Sequence, residues 1–500
     1  MKPVLKASTL FWSFLVVYAF LWVLIPSLMR HVTPMDSTEG AMWARVLQWG
    51  YPRDPWLNAV LTKLALFISF GRDWGIYLMS AVMVLIAIWS VWRLAKIILK
   101  NDSLALLSVI ILVGIQYYNL GVIDFNDNAC ELGLWPLMAL YFYRSLTTNR
   151  LKHWVLLGLF SGLGMMAKYY TAVPLVCMLL FMLFQKANHR FFKQYRLYLA
   201  LFILFVIVTP HIVWLFEHQL MTIRYSMVKL DQTDIPRGFY DQYFASAIHF
   251  FFAQIGTFMG AVAIFLFACF GKAKRCKRLN DKLRLSDFNR AFLFYVGLGP
   301  FLLTLMLSVI FRWKINTMWG IPLLSLWGII LVSLCRPVLT KAKLYRAMFV
   351  ASLVTVMLLV GYSISLSKST TSSANYPARK IADIVTDAWH QRYQTPLYYV
   401  AGYNKPVSYM VRYSEDYPQG LIDFNPQLNP KLNMNDLRKK GAVFILIPQM
   451  EGPSVFSKAI LEQYPNLMIT PYQQVAWENA KPGQKPMRFQ IAYLPPQHFS

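Results

Sequence analysis

The chain has 500 residues, of which 57% are hydrophobic and 14% charged, against roughly a quarter charged in soluble domains. This excludes a disordered chain, a disulfide scaffold and an ordinary cytosolic enzyme. The net charge of +26 does not point to nucleic acid, because the basic residues lie mainly in short runs between long apolar segments, as in the cytoplasmic loops of membrane proteins.

A bilayer core needs about 20 apolar residues of helix. Residues 10–29, preceded by Lys2 and Lys6, form the first such segment. It is too long for a signal-peptide core and lacks a small-residue cleavage site, so it reads as an uncleaved helix. Further spans are expected at about 75–97, 103–119, 130–147, 152–169, 171–186, 197–217, 246–270, 291–310, 318–335 and 345–366, eleven in all. Segment 56–70 is apolar but short and reads as interfacial.

With the N-terminus inside, the cytoplasmic segments include 93–100, 144–153, 186–196, 271–290 and 336–346. Segment 271–290 carries Lys272, Lys274, Arg275, Lys277, Arg278, Lys282, Arg284 and Arg290, and 186–196 carries Lys186, Arg190, Lys193 and Arg196. The opposite loops are poorer in Lys and Arg and richer in Asp, Glu, Trp and Tyr. This is the positive-inside pattern, and an odd number of spans puts the C-terminus on the far side. Composition shifts after Leu366. Residues 367–500 carry more charge and proline, no cysteine, and 14 Lys and Arg against 9 Asp and Glu. An amphipathic helix is expected at 377–389 and short buried strands at 397–400, 442–447 and 489–494. The expected architecture is an α-helical polytopic membrane domain over 1–366 and a small α/β domain over 367–500. The five cysteines, Cys130, Cys177, Cys269, Cys276 and Cys335, have no zinc-ligand spacing and imply no disulfide framework.

The first outer loop, 31–55, is the richest in chemistry. Asp36 and Glu39 follow the first helix, Trp43, Trp49 and Tyr51 are aromatics of interfacial type, and Arg45 and Arg53 add positive charge. A carboxylate held near cations at the membrane surface can accept a proton from an attacking hydroxyl. The same residues also suit an aromatic belt with a helix cap at Asp36 or Ser37. The second outer turn holds Asp124, Asn126, Asp127 and Asn128, with Glu131 soon after. Polar groups at membrane depth are costly and often mark function, although Asn and Asp also cap helices. Lys168, before Tyr169 and Tyr170, is a cation on the outer side, as an anionic lipid phosphate would require; the alternative is a lysine snorkelling to the interface. Arg312-Trp313-Lys314-Ile315-Asn316 and the loop 217–243, with His218, Arg224, Tyr225, Asp231, Asp234, Arg237 and Asp241, add further outer charges. There is no nucleotide-cradling GxxxxGK[ST], no dinucleotide glycine fingerprint and no HExxH. A nucleotide-activated donor would lie on the wrong side, so an activated lipid phosphate is the consistent one. No metal site is required. Carboxylates with His31 or His218 could hold a divalent ion, but the spacing is not diagnostic.

The chain resembles the glycosyltransferase family 39 group of polyprenyl-phosphate-sugar transferases, which includes protein O-mannosyltransferases and lipid A aminoarabinose transferases. The resemblance rests on Asp36, on Gly50-Tyr51 followed by Pro55, and on Phe125-Asn126 with Asn128 leading into Leu134-Trp135-Pro136. Lys168-Tyr169-Tyr170, Pro210-His211-Ile212-Val213-Trp214 and Trp319-Gly320-Ile321-Pro322 complete it. It covers roughly residues 1–360 and, weakly, the C-terminal part. It implies a GT-C bundle of about eleven membrane helices with an outward-facing site and Asp36 as catalytic base. The family usually has Asp-Glu at this point, whereas here Asp36-Ser37 is followed by Glu39. Many members have Lys or His before a Pro-Pro pair after the Gly-Tyr; here Arg53-Asp54-Pro55-Trp56 stands, so a phosphate or metal role of that position is not carried over, and Arg53 is the cation that could substitute.

The expected reaction is single displacement, with Asp36 taking the acceptor proton and Lys168, Arg224, Arg312 and Arg53 holding the donor phosphate. Glu39, Tyr51, Asn126, Asp127, Asn128, Tyr169 and Tyr170 are the expected substrate contacts. The expected donor is a sugar on polyprenyl (undecaprenyl) phosphate, and the expected acceptor is lipid A, another glycolipid or a protein hydroxyl. The expected setting is a bacterial inner membrane with the C-terminal domain periplasmic. A transporter or flippase also fits eleven spans with polar groups, but such folds usually carry repeats, and none of fixed period is evident. A receptor built around the outer domain would leave Asp36, the 126–128 turn and Lys168 without a shared purpose.

Overall fold

The computed structural model describes residues 7–230, 243–270 and 285–497. Lys2 and Lys6, then Asp231, Asp234, Arg237 and Asp241, and then Lys272, Lys274, Arg275, Cys276, Lys277, Arg278, Lys282 and Arg284 lie outside the described residues.

The helices of the membrane part run α1 Ala7–Met29, α2 Met35–Arg45, α3 Leu57–Ile68, α4 Trp74–Leu99, α5 Asp102–Ile110, α6 Asp127–Thr148, α7 Leu151–Ala167 and α8 Ala172–Phe184. They continue as α9 Tyr195–Glu217, α10 Met221–Leu230, α11 Ala245–Cys269, α12 Asp287–Phe292, α13 Gly299–Phe311, α14 Trp327–Cys335 and α15 Lys341–Lys368. A π turn, Leu293–Leu298, joins α12 to α13. Among the described residues, six helical stretches are long and apolar enough to cross a bilayer: α1, α4, α9, α11, α12 through α13, and α15. The chain is therefore a multi-pass membrane protein. The other expected segments are helical but shorter or broken. Residues 103–119 pass from α5 into single 3-10 turns, and Tyr169–Phe184 meets Lys186–Lys193 at 106°. The last expected segment but one, 318–335, is helical as α14 only from Trp327. Helix α6 is long enough, but its first turn is Asp127-Asn128 and it is buried almost throughout, packed between α4 and α7. Its mean hydropathy is lowered by the residues that make it interesting.

Beyond α15 lies a small sheet domain. Strands β1 Tyr399–Gly402, β2 Gln419–Ile422, β3 Ala442–Leu446, β4 Met468–Ile469, β5 Gln473–Val475 and β6 Met487–Leu494 form one sheet in the order β2-β1-β3-β6-β4, with β5 also paired to β6. β1 is parallel to β2 and β3, and β6 is antiparallel to β3. Helices α16 Ala378–Tyr393 and α17 Asn404–Tyr413 bring Ile381, Val385, Trp389 and Val407 against Val443, Ile445 and Ile491 on one face. Short helices α18 Met434–Lys440 and α19 Lys458–Gln463 bring Leu437 and Ile460 to Phe444 and Leu446 on the other. The expected helix and the three expected strands are α16, β1, β3 and β6. Parallel strands buried on both faces read as unbroken apolar runs, which is how 442–446 was legible; the short strands β4 and β5 carry no such run.

The core of the first face does not stop at the domain edge. It takes in Val32, Met42, Trp43, Tyr51 and Ala59 of the first loop and α3, so α2 is held between the bundle and the sheet domain. Polar contacts fix the junction. Asp73, just before α4, accepts from Arg412 at 2.5 Å, Arg379 at 2.6 Å and the Tyr413 hydroxyl at 3.2 Å. The Thr33 amide donates to the Tyr413 hydroxyl at 2.8 Å.

Candidate active site

The N-terminus of α2 is anchored by a carboxylate from elsewhere in the chain. Pro34 stands at the cap position and gives no side-chain bond. Instead Asp124 accepts from the Ser37 amide at 2.8 Å and the Ser37 hydroxyl at 2.7 Å. A carboxylate at this end satisfies free amides and suits the helix dipole. The cap expected from Asp36 or Ser37 is thus supplied by Asp124, and Asp36 is left for other contacts.

Asn126 serves two helices at once. Its Oδ1 accepts from the Ala129 amide at 3.1 Å and so caps α6. Its Nδ2 donates to Asp36 Oδ2 at 3.1 Å. The next residue, Asp127, accepts at Oδ1 from the amide and the side chain of Asn128, both at 2.9 Å. Its Oδ2 pairs with Lys168 Nζ at 2.7 Å. Lys168 ends α7 in extended conformation. It donates a second bond to Asn128 Oδ1 at 2.7 Å and lies 5.3 Å from the centre of the Trp319 ring. An ammonium has three donors, so one remains for a ligand.

Lys168, Asp127, Arg53 and Asp54 stand at the polar part of a cavity of about 340 Å³. Its remaining wall includes Tyr169, Tyr170, Val173, Leu307, Ile315 and Trp319. Arg53 pairs with Glu39 at 3.3 Å and lies over the Tyr225 ring. Asp36 itself is open to solvent. It does not line the cavity; it accepts from Asn126, whose chain neighbour Asp127 does.

The carboxyls here are pushed toward their protonated forms. Asp36, although solvent-accessible, is raised by desolvation from the surrounding protein and by the charge of Asp127, opposed by Asn126, Lys229 and Lys168. Burial pushes Glu39 up to about 7 against the pull of Arg53. Burial and the charge of Asp36 push Asp124 up to about 7 against its bonds from Ser37. Asp54 is raised well above the usual range by burial and Asp127, with Lys168 opposing.

The motifs that were separate in sequence meet here. The His211 Nδ1 faces the Trp49 carbonyl at 2.6 Å, which can only accept. The proton therefore sits on Nδ1, and Nε2 accepts from the Tyr169 hydroxyl at 2.5 Å. Gly50 packs so close that a Cβ would lie 2.4 Å from Trp214 and 2.8 Å from His211. Tyr170 bonds Thr304 at 2.6 Å. Tyr51 is buried instead, stacked on Trp43 with its hydroxyl donating toward the Trp43 and Val46 carbonyls. It holds the loop and does not line the cavity. Arg224 and Arg312 are exposed; Arg312 lies over the Tyr243 ring, and neither lines the cavity. Lys229 and Tyr225 line it instead. Asp54, Lys229 and Trp313 were missed as site residues, because nothing in their local pattern separates them from loop charges and interfacial aromatics. His218 stacks on Trp214. Among the described residues, the one group of His, Cys, Asp and Glu whose donor atoms converge closely is His390, Glu415 and Asp416 in the sheet domain.

Residues 52–214 match the family described as dolichyl-phosphate-mannose-protein mannosyltransferase. That match lies within the membrane part and agrees with the resemblance to polyprenyl-phosphate-sugar transferases carried by the sequence motifs. A curated relative, the lipopolysaccharide core galacturonosyltransferase RgtA of Rhizobium johnstonii, is 25% identical over 227 residues. That match covers 45% of each chain, so it spans less than half the length of the relative. Two solved structures of ArnT from Cupriavidus metallidurans, one bound to undecaprenyl phosphate and one in the apo state, share the fold with TM-score 0.63. They cover 97% of this chain and 98% of theirs, at 13% and 14% identity.

Proposed function

We propose that the chain is an integral-membrane glycosyltransferase that moves a sugar from a polyprenyl phosphate, undecaprenyl phosphate in a bacterium, to a hydroxyl of an outer-leaflet glycolipid. Lipid A is the leading acceptor. The reading places the protein in the inner membrane with its sheet domain periplasmic. The observation that carries it is the two-sided cavity, with Lys168 at its polar part and tyrosine, tryptophan and aliphatic side chains along its wall. A phosphate needs the first and a prenyl chain the second. The naming of RgtA as a lipopolysaccharide core transferase and of undecaprenyl phosphate in one ArnT structure supports the same chemistry.

In this reading Asp36 accepts the acceptor's proton as its oxygen attacks the anomeric carbon. The bond to the lipid phosphate breaks, and the phosphate leaves with the bonding pair. One displacement inverts the anomeric centre. Lys168, Arg53 and Lys229 stabilise the leaving charge, an effect worth several kcal/mol when such groups are fixed in advance. Asp127 and Asn128 orient Lys168, and Asn126 orients Asp36. The raised position of the Asp36 carboxyl brings a weak base closer to the working pH. The test is transfer by purified protein from undecaprenyl-phosphate sugars to extracted lipid A, followed by mass spectrometry. Asp36→Asn is expected to abolish transfer while donor binding persists. Transfer at the wild-type rate would remove Asp36 from the mechanism, and Asp54, which lines the cavity, would be examined next.

A further inference from the structure

A second cavity of about 490 Å³ lies on the same face, between the C-terminal end of α1, the turn before α4 and the sheet domain. Four arginines line it, Arg30, Arg72, Arg379 and Arg412, against two carboxylates, Asp73 and Glu415. Its walls also include His31, Trp74 and Ser27. Asp73 is already committed, since it takes bonds from Arg379, Arg412 and Tyr413. Arg30 donates to the Val32 carbonyl at 3.1 Å and the Tyr362 hydroxyl at 3.4 Å; among the described residues it forms no close ion pair, and the carboxylate whose charge reaches it is Asp124, which is not part of the cavity wall. Arg72 is exposed. Buried Arg412 has an Nε with no acceptor. The cavity wall therefore holds positive charge in excess, beside the C-terminal end of α1 and the start of α4, two of the helices long and apolar enough to cross a bilayer. Guanidinium groups fork onto phosphate oxygens, and a cavity of this size accepts a headgroup.

We propose that this cavity binds the phosphate of a membrane-lipid headgroup, separately from the cavity at Lys168. The phosphate belongs either to the acceptor glycolipid or to a bulk anionic phospholipid. Only the first source rests on the proposed transferase reading. The wall includes Arg30 and His31, five residues or so before Asp36 on the same short connection, so an occupied cavity would also brace the segment that presents Asp36.

The test is a native mass-spectrometric titration of the full chain in detergent with phosphatidic acid, and separately with undecaprenyl phosphate. Arg30→Gln with Arg72→Gln is expected to weaken phosphatidic acid about tenfold, ~1.4 kcal/mol, and to leave undecaprenyl phosphate within about twofold of wild type. If the double variant fails to fold, Arg72→Gln alone, on an exposed side chain, is expected to lose about threefold. Lipid A that displaces phosphatidic acid from wild type would assign the cavity to the acceptor. Lipid A that does not, with the variant effect intact, would assign it to bulk lipid. Phosphatidic acid binding equal in variant and wild type would overturn the proposal, and would do so whether or not sugar transfer is observed.

Discussion

Removing the charge of Lys168 tests whether this residue holds a ligand or merely neutralises Asp127. The pair is well buried, with 17% and 11% of the side chains exposed. Breaking such a pair leaves an unpaired buried carboxylate, which costs about 3–5 kcal/mol at full burial. Here Asp127 keeps two bonds from Asn128 at 2.9 Å, so Lys168→Met is expected to cost about 2–3 kcal/mol of stability. Asp127→Asn in the same chain removes the stranded charge and should recover most of that loss. Undecaprenyl phosphate binding should behave differently. A charged hydrogen bond is worth about 1.5–3 kcal/mol, so the single variant is expected to bind about 10- to 150-fold more weakly. The double variant should stay weak although its stability returns. Thermal unfolding in detergent and thermophoretic titration with undecaprenyl phosphate give the two readouts. Recovery of binding together with stability in the double variant would refute the reasoning and leave Lys168 a structural counter-ion.

Three further outcomes follow from the same geometry. Asn126→Asp keeps an acceptor for the α6 cap but sets a negative charge against Asp36; it should raise the Asp36 carboxyl further and move the acid limb of kcat/KM to higher pH, whereas an unmoved limb would separate Asp36 from catalysis. Glu39 and Asp124 are both pushed up to about 7 by burial, so the unfolded chain loses their protons first as pH rises; thermal stability should fall between about pH 4 and 7, and Glu39→Gln with Asp124→Asn should flatten that slope in scanning fluorimetry. Gly50→Ala puts a Cβ 2.4 Å from Trp214, an overpacking expected to cost about 1–3 kcal/mol and to weaken the Tyr169–His211 contact; an unchanged melting temperature would show that the loop can yield.

The membrane character, the order of the apolar segments and the main strands of the sheet domain were legible in the sequence, because each depends on local composition. A long apolar run must be helical wherever it meets lipid, since no water is there to satisfy its backbone. Whether the helix stays straight is not local. Residues 103–119 break into 3-10 turns and α12 joins α13 through a π turn, neither of which an average over side chains reports. The polar motifs were likewise visible as clusters, but not the geometry that links them. Only the folded chain shows that Asp124 caps α2, that Asn126 holds Asp36 while capping α6, and that Lys229 faces the cavity while Arg224 does not. The Asp124–Ser37 and Asn126–Asp36 contacts join residues 87 and 90 positions apart in the chain. A residue's chemistry is written in its type, but its partners are chosen by tertiary packing, and the partners decide which carboxylate is left free to act.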